Sequence, residues 1–474
     1  MKVFDLVVIG GGVGGLVTAS VAGQLGVSVA LIEKERALGG DCLHFGCVPS
    51  KTLIKTARVA HLMRHADQFG LTAVEPQAPP GAVAERVRAV VERIQAHDDP
   101  ERFRGYGVEV LFGAARFVSP REVEVKGERY AGRRFLVATG SRPAVPPVDG
   151  LEEAGYLTNE QVFDLQELPG RLAVLGGGPV GIELAQACQR LGSRVTVLEM
   201  AQEILPREDP DIAAELRRLL MDEGLDVRTE ARVEQVQLGG EGGKRLVCKR
   251  GNEYLPLDVD EILVAAGRVP NIESLDLDAA GVVHDRIGIT VDARMRTSRR
   301  HIYAVGDCTG LYPFTHVAEY QAGIAVSNAV FRVPRKADYS VVPWVTYSDP
   351  ELARVGMTAS EARAQGLEAE VLSFAFEDVD RALIEGESAG RIKLVVHRGR
   401  ILGATILGPH AGELIHEIVL AMQAGVRIGA VSAAIHAYPT LAQIHRRAVN
   451  THYGARLFSP RTRRLVRWIN RLLP

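Results

Sequence analysis

A chain of 474 residues exceeds what one hydrophobic core usually organises, so two to four domains are expected. The composition is that of a globular protein, 46% hydrophobic and 24% charged, and a net charge of -2 gives no bulk reason to expect nucleic acid as a partner. No stretch reaches the roughly 18 uninterrupted apolar residues of a membrane span, and five cysteines, three of them scattered, do not make a secreted disulfide framework, so a cytoplasmic protein is expected.

The N-terminal MKVFDLVVIGGG reads as a strand and not a signal peptide, because glycines break its apolar run at once and no small-residue cleavage site follows. It opens a unit, residues 4–34, of apolar strand, glycine turn with Gly10, Gly12 and Gly15, small-residue helix, second strand and terminal acid Glu33. The first glycine permits the turn, the second lets backbone amides approach a pyrophosphate, and the third lets helix pack on strand. The helix N-terminus then favours the phosphate charge.

Next comes GGDCLHFGCVPSK, residues 39–51, with four residues between Cys42 and Cys47. In a regular helix, residues five apart lie about 8 to 9 Å from each other at Cα, beyond the roughly 7 Å a disulfide tolerates. Either the pair is unbridged, or the first turn is distorted to bridge it, leaving a strained, easily reduced bond. The other readings are two buried thiols or half of a metal site. No second CxxC or Cys/His cluster completes tetrahedral zinc, and no metal site is expected.

Residues 53–66 and 82–97 carry helical periodicity, split by the loop EPQAPPG. Strand-like stretches follow: VEVLFGAARFV, REVEVKG and RRFLVATGSRP. Residues 171–200 then repeat the first plan with Gly176, Gly178, Gly181 and Glu199. Glu33 and Glu199 each lie 23 residues beyond the first glycine of their turn. Two dinucleotide folds are implied. A carboxylate at Glu199 accepts from a ribose 2′-hydroxyl and repels a 2′-phosphate; Met200, Ala201 and Gln202 offer no arginine, so NADH is favoured over NADPH. A second strand series ends in ILVAAGRVP, an echo of FLVATGSRP, and from about 336 the texture changes to alternating strands and helices without a glycine fingerprint.

Two dinucleotide units with a CxxxxC after the first, together with ATG at 138–140, HIYAVGD at 301–307 and HVAEYQAG at 316–323, resemble the class I flavoprotein disulfide reductases over essentially the whole chain. The resemblance implies an α/β protein with two Rossmann-like domains and a C-terminal α+β dimerisation domain. Residues 1–150 and 271–335 would bind FAD, 151–270 NAD, and 336–455 would form the dimer, with 456–474 a basic amphipathic tail. The first fingerprint and Glu33 would take the ADP half of FAD, Asp307 its ribityl or pyrophosphate region, and Ala318 would approach the ring. Gly40, Lys51, Ala115, Thr139, Gly140 and Gly306 complete that set. NADH would lie on Gly176, Gly178, Gly181, Glu199 and Gly267. The resemblance also makes Cys47 the thiolate against the flavin, Cys42 the thiol that meets substrate, and Lys51 with Glu183 the ion pair near flavin N5.

Dithiol-handling members carry a C-terminal His-Pro-Thr-x-x-Glu whose histidine is the acid/base. Here HAYPTLAQ, 436–443, places Tyr438 at the histidine and Gln443 at the glutamate. A phenol, with a pKa of about 10, is a poor base near neutrality. Mercuric reductases also have tyrosine there, so a thiophilic, mercuric-type acceptor is expected, although the C-terminal cysteines of those enzymes are missing. The alternatives are a dihydrolipoyl dehydrogenase with substituted acid/base, acting on a small or protein-bound dithiol, and a non-enzymatic flavin redox sensor. His436 and His445 are candidates for a displaced base, and His44 for tuning the thiols.

The tail SPRTRRLVRWINRLLP gathers Leu465, Trp468, Ile469 and Leu472 on one helical face and spreads Arg463, Arg464, Arg467 and Arg471 over the others. It suits an anionic membrane surface or acidic partner through 459–474, or a helix folded back on its own homodimer.

Overall fold

The computed structural model describes residues 2–472, so Met1 and, at the end of the expected tail, Leu473 and Pro474 lie outside the described residues. The first unit builds a five-stranded parallel sheet in the spatial order Ile302–Ala304, Phe135–Val137, Leu6–Ile9, Val29–Glu33, Val108–Phe112. Its two strands of residues 6–9 and 29–33 are buried along their whole length, as parallel strands covered on both faces must be. The helix Val13–Gln24 brings Gly14, Gly15, Ala19 and Ala22 into the interior and packs against helix Thr315–Val326. Small residues allow that approach.

The second unit repeats the plan as a four-stranded parallel sheet, Asp226–Arg228, Arg194–Leu198, Arg171–Leu175, Glu261–Val264. An antiparallel meander, Ala231–Leu238, Lys244–Arg250, Glu253–Val259, accompanies it. Three antiparallel strands between Ala115 and Gly132 play the same part in the first unit. The two echoing segments meet: Ser141–Pro143 pairs antiparallel with Arg268–Pro270.

One apolar run divides where the sequence reads as continuous. VEVLFGAARFV ends the parallel sheet at Phe112 and enters the antiparallel layer at Ala115. Gly113 makes the corner with φ +153°, and its amide donates to the Glu33 carbonyl at 2.7 Å.

Residues 343–408 form a five-stranded antiparallel sheet in the order Pro343–Thr346, Glu351–Gly356, Arg400–Gly408, Arg391–His397, Glu370–Ala375. Helices Ala411–Gln423 and Gln443–Leu457 cover it through Ile415, Ile418, Ile444 and Val449. A shared core ties this layer to the rest: Leu53 and Ala57 pack with Ile182, Leu184, Leu352 and Leu407. No helix among the described residues is long and apolar enough to cross a membrane.

Candidate active site

The cysteine segment is not one distorted helix. It is two helices, Gly40–His44 and Cys47–Arg64, separated at Phe45 and Gly46. A Cβ on Gly46 would stand 3.0 Å from the Asp41 carbonyl oxygen and from Cys42 Cα, so a larger residue would have to push these backbone neighbours back by a few tenths of an ångström. Asn159 Nδ2 donates to the Phe45 carbonyl at 2.9 Å and secures the break. Cys47 thereby begins the second helix instead of continuing the first, which brings the two thiols into hydrogen-bonding contact with both sulfurs free.

This placement polarises the pair. The Cys47 thiol is brought down to about 6, chiefly by the hydrogen bond from Cys42; burial opposes the shift, while Lys51 and Thr315 reinforce it. The Cys42 thiol is raised, because it keeps the proton it donates to Cys47 and is itself desolvated. Thr315 Oγ1 lies 3.7 Å from Cys47 Sγ. Lys51, one turn further along the helix, puts Nζ 2.7 Å from Glu183 Oε2 and 4.6 Å from the centre of the Tyr347 ring. Burial works against the Lys51 charge, but Glu183 outweighs it and raises the pKa. The other oxygen of Glu183 accepts from the Tyr347 amide at 2.8 Å. On the same helix Arg190 donates to Asp349 Oδ2 at 2.7 Å and Glu223 Oε2 at 2.9 Å, bracing Glu183 against the C-terminal sheet.

The two glycine turns match atom for atom. Glu33 accepts from the Gly11 amide at 2.6 Å and the Glu35 amide at 2.7 Å; Glu199 accepts from Gly177 and Ala201, both at 2.7 Å. A Cβ on Gly15 would meet the Gly10 carbonyl oxygen at 1.8 Å, and one on Gly181 the Gly176 oxygen at 2.0 Å. Gly178 has nothing within 4 Å of that position, and Gly12 nothing nearer than 3.7 Å. Both helices, Val13–Gln24 and Pro179–Arg190, begin without a side-chain cap. Closed first and third glycines, an open second glycine and uncapped amides fit a dinucleotide pyrophosphate at each turn.

The remaining residues expected at FAD lie around the first turn. A Cβ on Gly40 would come within 2.7 Å of Gly12 Cα, and Ala115 is buried in the adjoining layer. The carbonyls of Thr139 and Gly140 accept from Asn271, and Thr139 Oγ1 is buried with no partner among the described residues. Gly306 donates to Gln321 Oε1 at 2.6 Å, and Asp307 accepts from Ser141 Oγ at 2.6 Å, its carboxyl raised by burial. Arg268 joins Asp307 to the cysteine helix: it lies 3.0 Å from Asp41 Oδ2 and 3.9 Å from Asp307 Oδ2. Ala318, in the first turn of its helix, stands beside Gly14 and Gly306. Gly267, with φ +119°, accepts from the Ala144 amide in the second unit.

The three histidines are all engaged. His44 Nε2 is 2.9 Å from the Leu38 carbonyl. His436 Nε2 lies 3.1 Å from Glu417 Oε1, and the fully buried His445 places Nδ1 2.8 Å from Glu417 Oε2. This Glu417 cluster, whose carboxylate and two imidazoles offer atoms within 4.8 Å of one another, could not be read from the local motif, because Glu417 belongs to a separate helix. Thr315, Tyr347 and Arg268 escaped for the same reason. Tyr438 is 68% exposed; its hydroxyl pairs with Asp380, which raises its pKa.

Comparison with known proteins matches residues 4–322 to the family model described as pyridine nucleotide-disulphide oxidoreductase, and residues 342–449 to the dimerisation domain of the same family. The chain is 38% identical to a dihydrolipoyl dehydrogenase of Thermus scotoductus, over 95% of this chain and 99% of that one. It is 33% identical to a mercuric reductase of Lysinibacillus sphaericus, over 93% of this chain and 81% of that one. Among solved structures it resembles the Cu(II) complex of the HOCl-induced flavoprotein disulfide reductase RclA from Escherichia coli, with a TM-score of 0.85 and 30% identity, covering 94% of this chain and 99% of that one.

Proposed function

Because the chain belongs to the pyridine nucleotide-disulphide oxidoreductase family, whose members are FAD-dependent enzymes, we propose that it carries two electrons from NADH through Cys42 and Cys47 to a thiophilic, mercuric-type acceptor. Bound FAD supplies the chemistry that accepts hydride from a nicotinamide and passes the electron pair to sulfur. The first turn, with Glu33, Gly40, Ala115, Thr139, Gly140, Gly306, Asp307 and Ala318, would hold it; the second turn, with Glu199 and Gly267, would hold NADH. The domain limits 150, 270, 335 and 455, a homodimer and a cytoplasmic location belong to the same reading.

The chain's own groups set the proton balance. Opening the Cys42–Cys47 bridge consumes two electrons and one proton, because Cys42 keeps a proton while Cys47, at about 6, stays a thiolate near neutrality. Lys51 stabilises that thiolate, and Glu183 holds Lys51 in place. When the pair gives its two electrons to a mercuric ion, the sulfurs rejoin and the Cys42 proton is released. A soft ion thus needs two sulfurs, and no separate base.

The observation that carries this choice of acceptor is the state of the expected base. Tyr438 is an exposed phenol with a raised pKa, and His436 and His445 are both committed to Glu417. Loss of a general base slows thiol exchange by about 10² to 10⁴. The 38% identity to a dihydrolipoyl dehydrogenase over almost the full length favours the second reading, in which dihydrolipoamide reduces NAD. Assays with NADH plus mercuric ion in excess small thiol, set beside NAD plus dihydrolipoamide, separate the two. The expected result is ion-dependent NADH oxidation that Cys42→Ser abolishes; rapid dihydrolipoamide turnover would reassign the substrate.

A further inference from the structure

The helix Pro460–Leu472 takes no part in this chemistry, and its surface differs from every other amphipathic helix described here. Helices Ala82–Gln95, Pro210–Asp222 and Ala411–Gln423 press an apolar stripe into the body, burying Val87, Leu216 and Ile415. Pro460–Leu472 buries nothing. Leu465, Trp468 and Leu472 are 54%, 61% and 57% exposed, and Leu457 and Phe458 extend the uncovered surface just ahead of them.

At about 100° per residue, Leu465, Val466, Trp468, Ile469 and Leu472 share one arc, which Arg461 joins at the first turn, while Arg463, Arg464, Arg467, Asn470 and Arg471 fill the opposite one. Arg463, Arg467 and Arg471 follow one another at four-residue spacing, a like-charge series that repels itself. The helix contains no acidic residue, and among the described residues none of its arginines forms an ion pair. Its start is nonetheless well formed, with proline in the first turn and Ser459 Oγ accepting from the Thr462 amide at 3.2 Å. A stable, uncovered helix with a self-repelling cationic face lacks an anionic counter-surface and an apolar phase side by side.

We propose that Pro460–Leu472 is an interfacial anchor that lays the enzyme on a bilayer rich in anionic lipid. At 1.5 Å per residue its length is about 20 Å, too short for a hydrocarbon core of roughly 30 Å, so it lies in the membrane plane. The arginine arc faces phosphates, the apolar arc enters the headgroup–acyl boundary, and Trp468 sits at the seam between them, where indole partitions best. An acidic protein would answer the charges but leave the apolar arc to a fixed groove; a bilayer offers both in one plane. The proposal is independent of which acceptor the enzyme reduces.

The test uses the full-length, FAD-loaded protein with vesicles of phosphatidylcholine alone or mixed with phosphatidylglycerol, in a Trp344→Phe background that leaves Trp468 the only tryptophan. Flotation with the anionic vesicles should exceed that with neutral ones by on the order of tenfold or more and weaken with added salt. Trp468 emission should shift to the blue on binding. R463Q/R467Q/R471Q and a chain ending at Ser459 should each lose the binding while retaining flavin reduction by NADH. Failure to float with anionic vesicles, equal binding to neutral ones, or binding that survives tail removal overturns the proposal. Loss of the dimer on tail removal, with no vesicle binding by the intact chain, would place the helix at the subunit interface instead.

Discussion

At the scale of single residues, two sulfurs of one element type are made unequal by their neighbours. Cys42 donates, Cys47 accepts, and Lys51 adds positive charge on the Cys47 side. The Cys47 thiolate is therefore present above about pH 6 and is lost as pH falls through that value. In Cys42→Ser holoenzyme the hydroxyl still donates, so long-wavelength thiolate–flavin absorbance should titrate with a midpoint near 6. Cys42→Ala removes the donor, and its midpoint should rise by about one unit or more. Equal midpoints in the two variants, or an ordinary thiol value of about 8.5 in Cys42→Ser, would show that Cys42 does not set the Cys47 charge. Cys42, Cys47, Lys51 and Glu183 were legible in the sequence because each sits inside a local motif. Thr315 and Tyr347 were not, since only the packing of distant segments brings them to the site; Glu417, which packing brings to His436 and His445, was hidden in the same way.

At the scale of the element, glycine separates what folding requires from what the ligand requires. Gly181→Ala would drive a methyl to 2.0 Å from the Gly176 carbonyl oxygen, between a strand and helix whose surroundings are fully buried. The overpacking cost is about 1 to 3 kcal/mol, and thermal melts should show it as a lowered midpoint. Gly178→Ala meets nothing within 4 Å in the chain itself. It should melt like the parent yet raise KM for NADH by about tenfold or more, because the methyl occupies the approach of the pyrophosphate. Matching melts with matching KM values would show that no dinucleotide lies on this turn. The strand–turn–helix–strand units were legible because turn chemistry and apolar runs are local. The break at Gly46 and the corner at Gly113 were not, because a glycine that serves close approach between segments looks in sequence like any other. The regular-helix spacing of residues five apart does not hold for Cys42 and Cys47, because the chain makes two helices there instead of one.

At the scale of the whole molecule, the C-terminal groups on which the proposed acceptor rests have partners of their own outside the cysteine segment. Among the described residues, no hydrogen bond joins Tyr438 to the cysteine segment; its hydroxyl pairs with Asp380, and the loop before it carries Ile435 at 96% exposure. A large aliphatic side chain so uncovered, in a segment matched by a dimerisation-domain model, fits a surface buried by a second copy. In the proposed homodimer each site would draw its sulfurs from one subunit and the phenol from the other. Ile435→Glu should weaken the dimer in sedimentation velocity while leaving the flavin and its reduction by NADH intact, with acceptor turnover falling alongside the dimer. Hybrid dimers give the sharper measurement. If Cys42→Ser and Tyr438→Ala subunits are each inactive toward the acceptor, random exchange of equal amounts makes about half of the dimers mixed, and each mixed dimer regains one intact site of two. Turnover should recover to about one quarter of the parent value, given that binomial mixing. No recovery after demonstrated exchange would mean that the sulfurs and Tyr438 work within one chain, and the shared-site architecture would have to be abandoned.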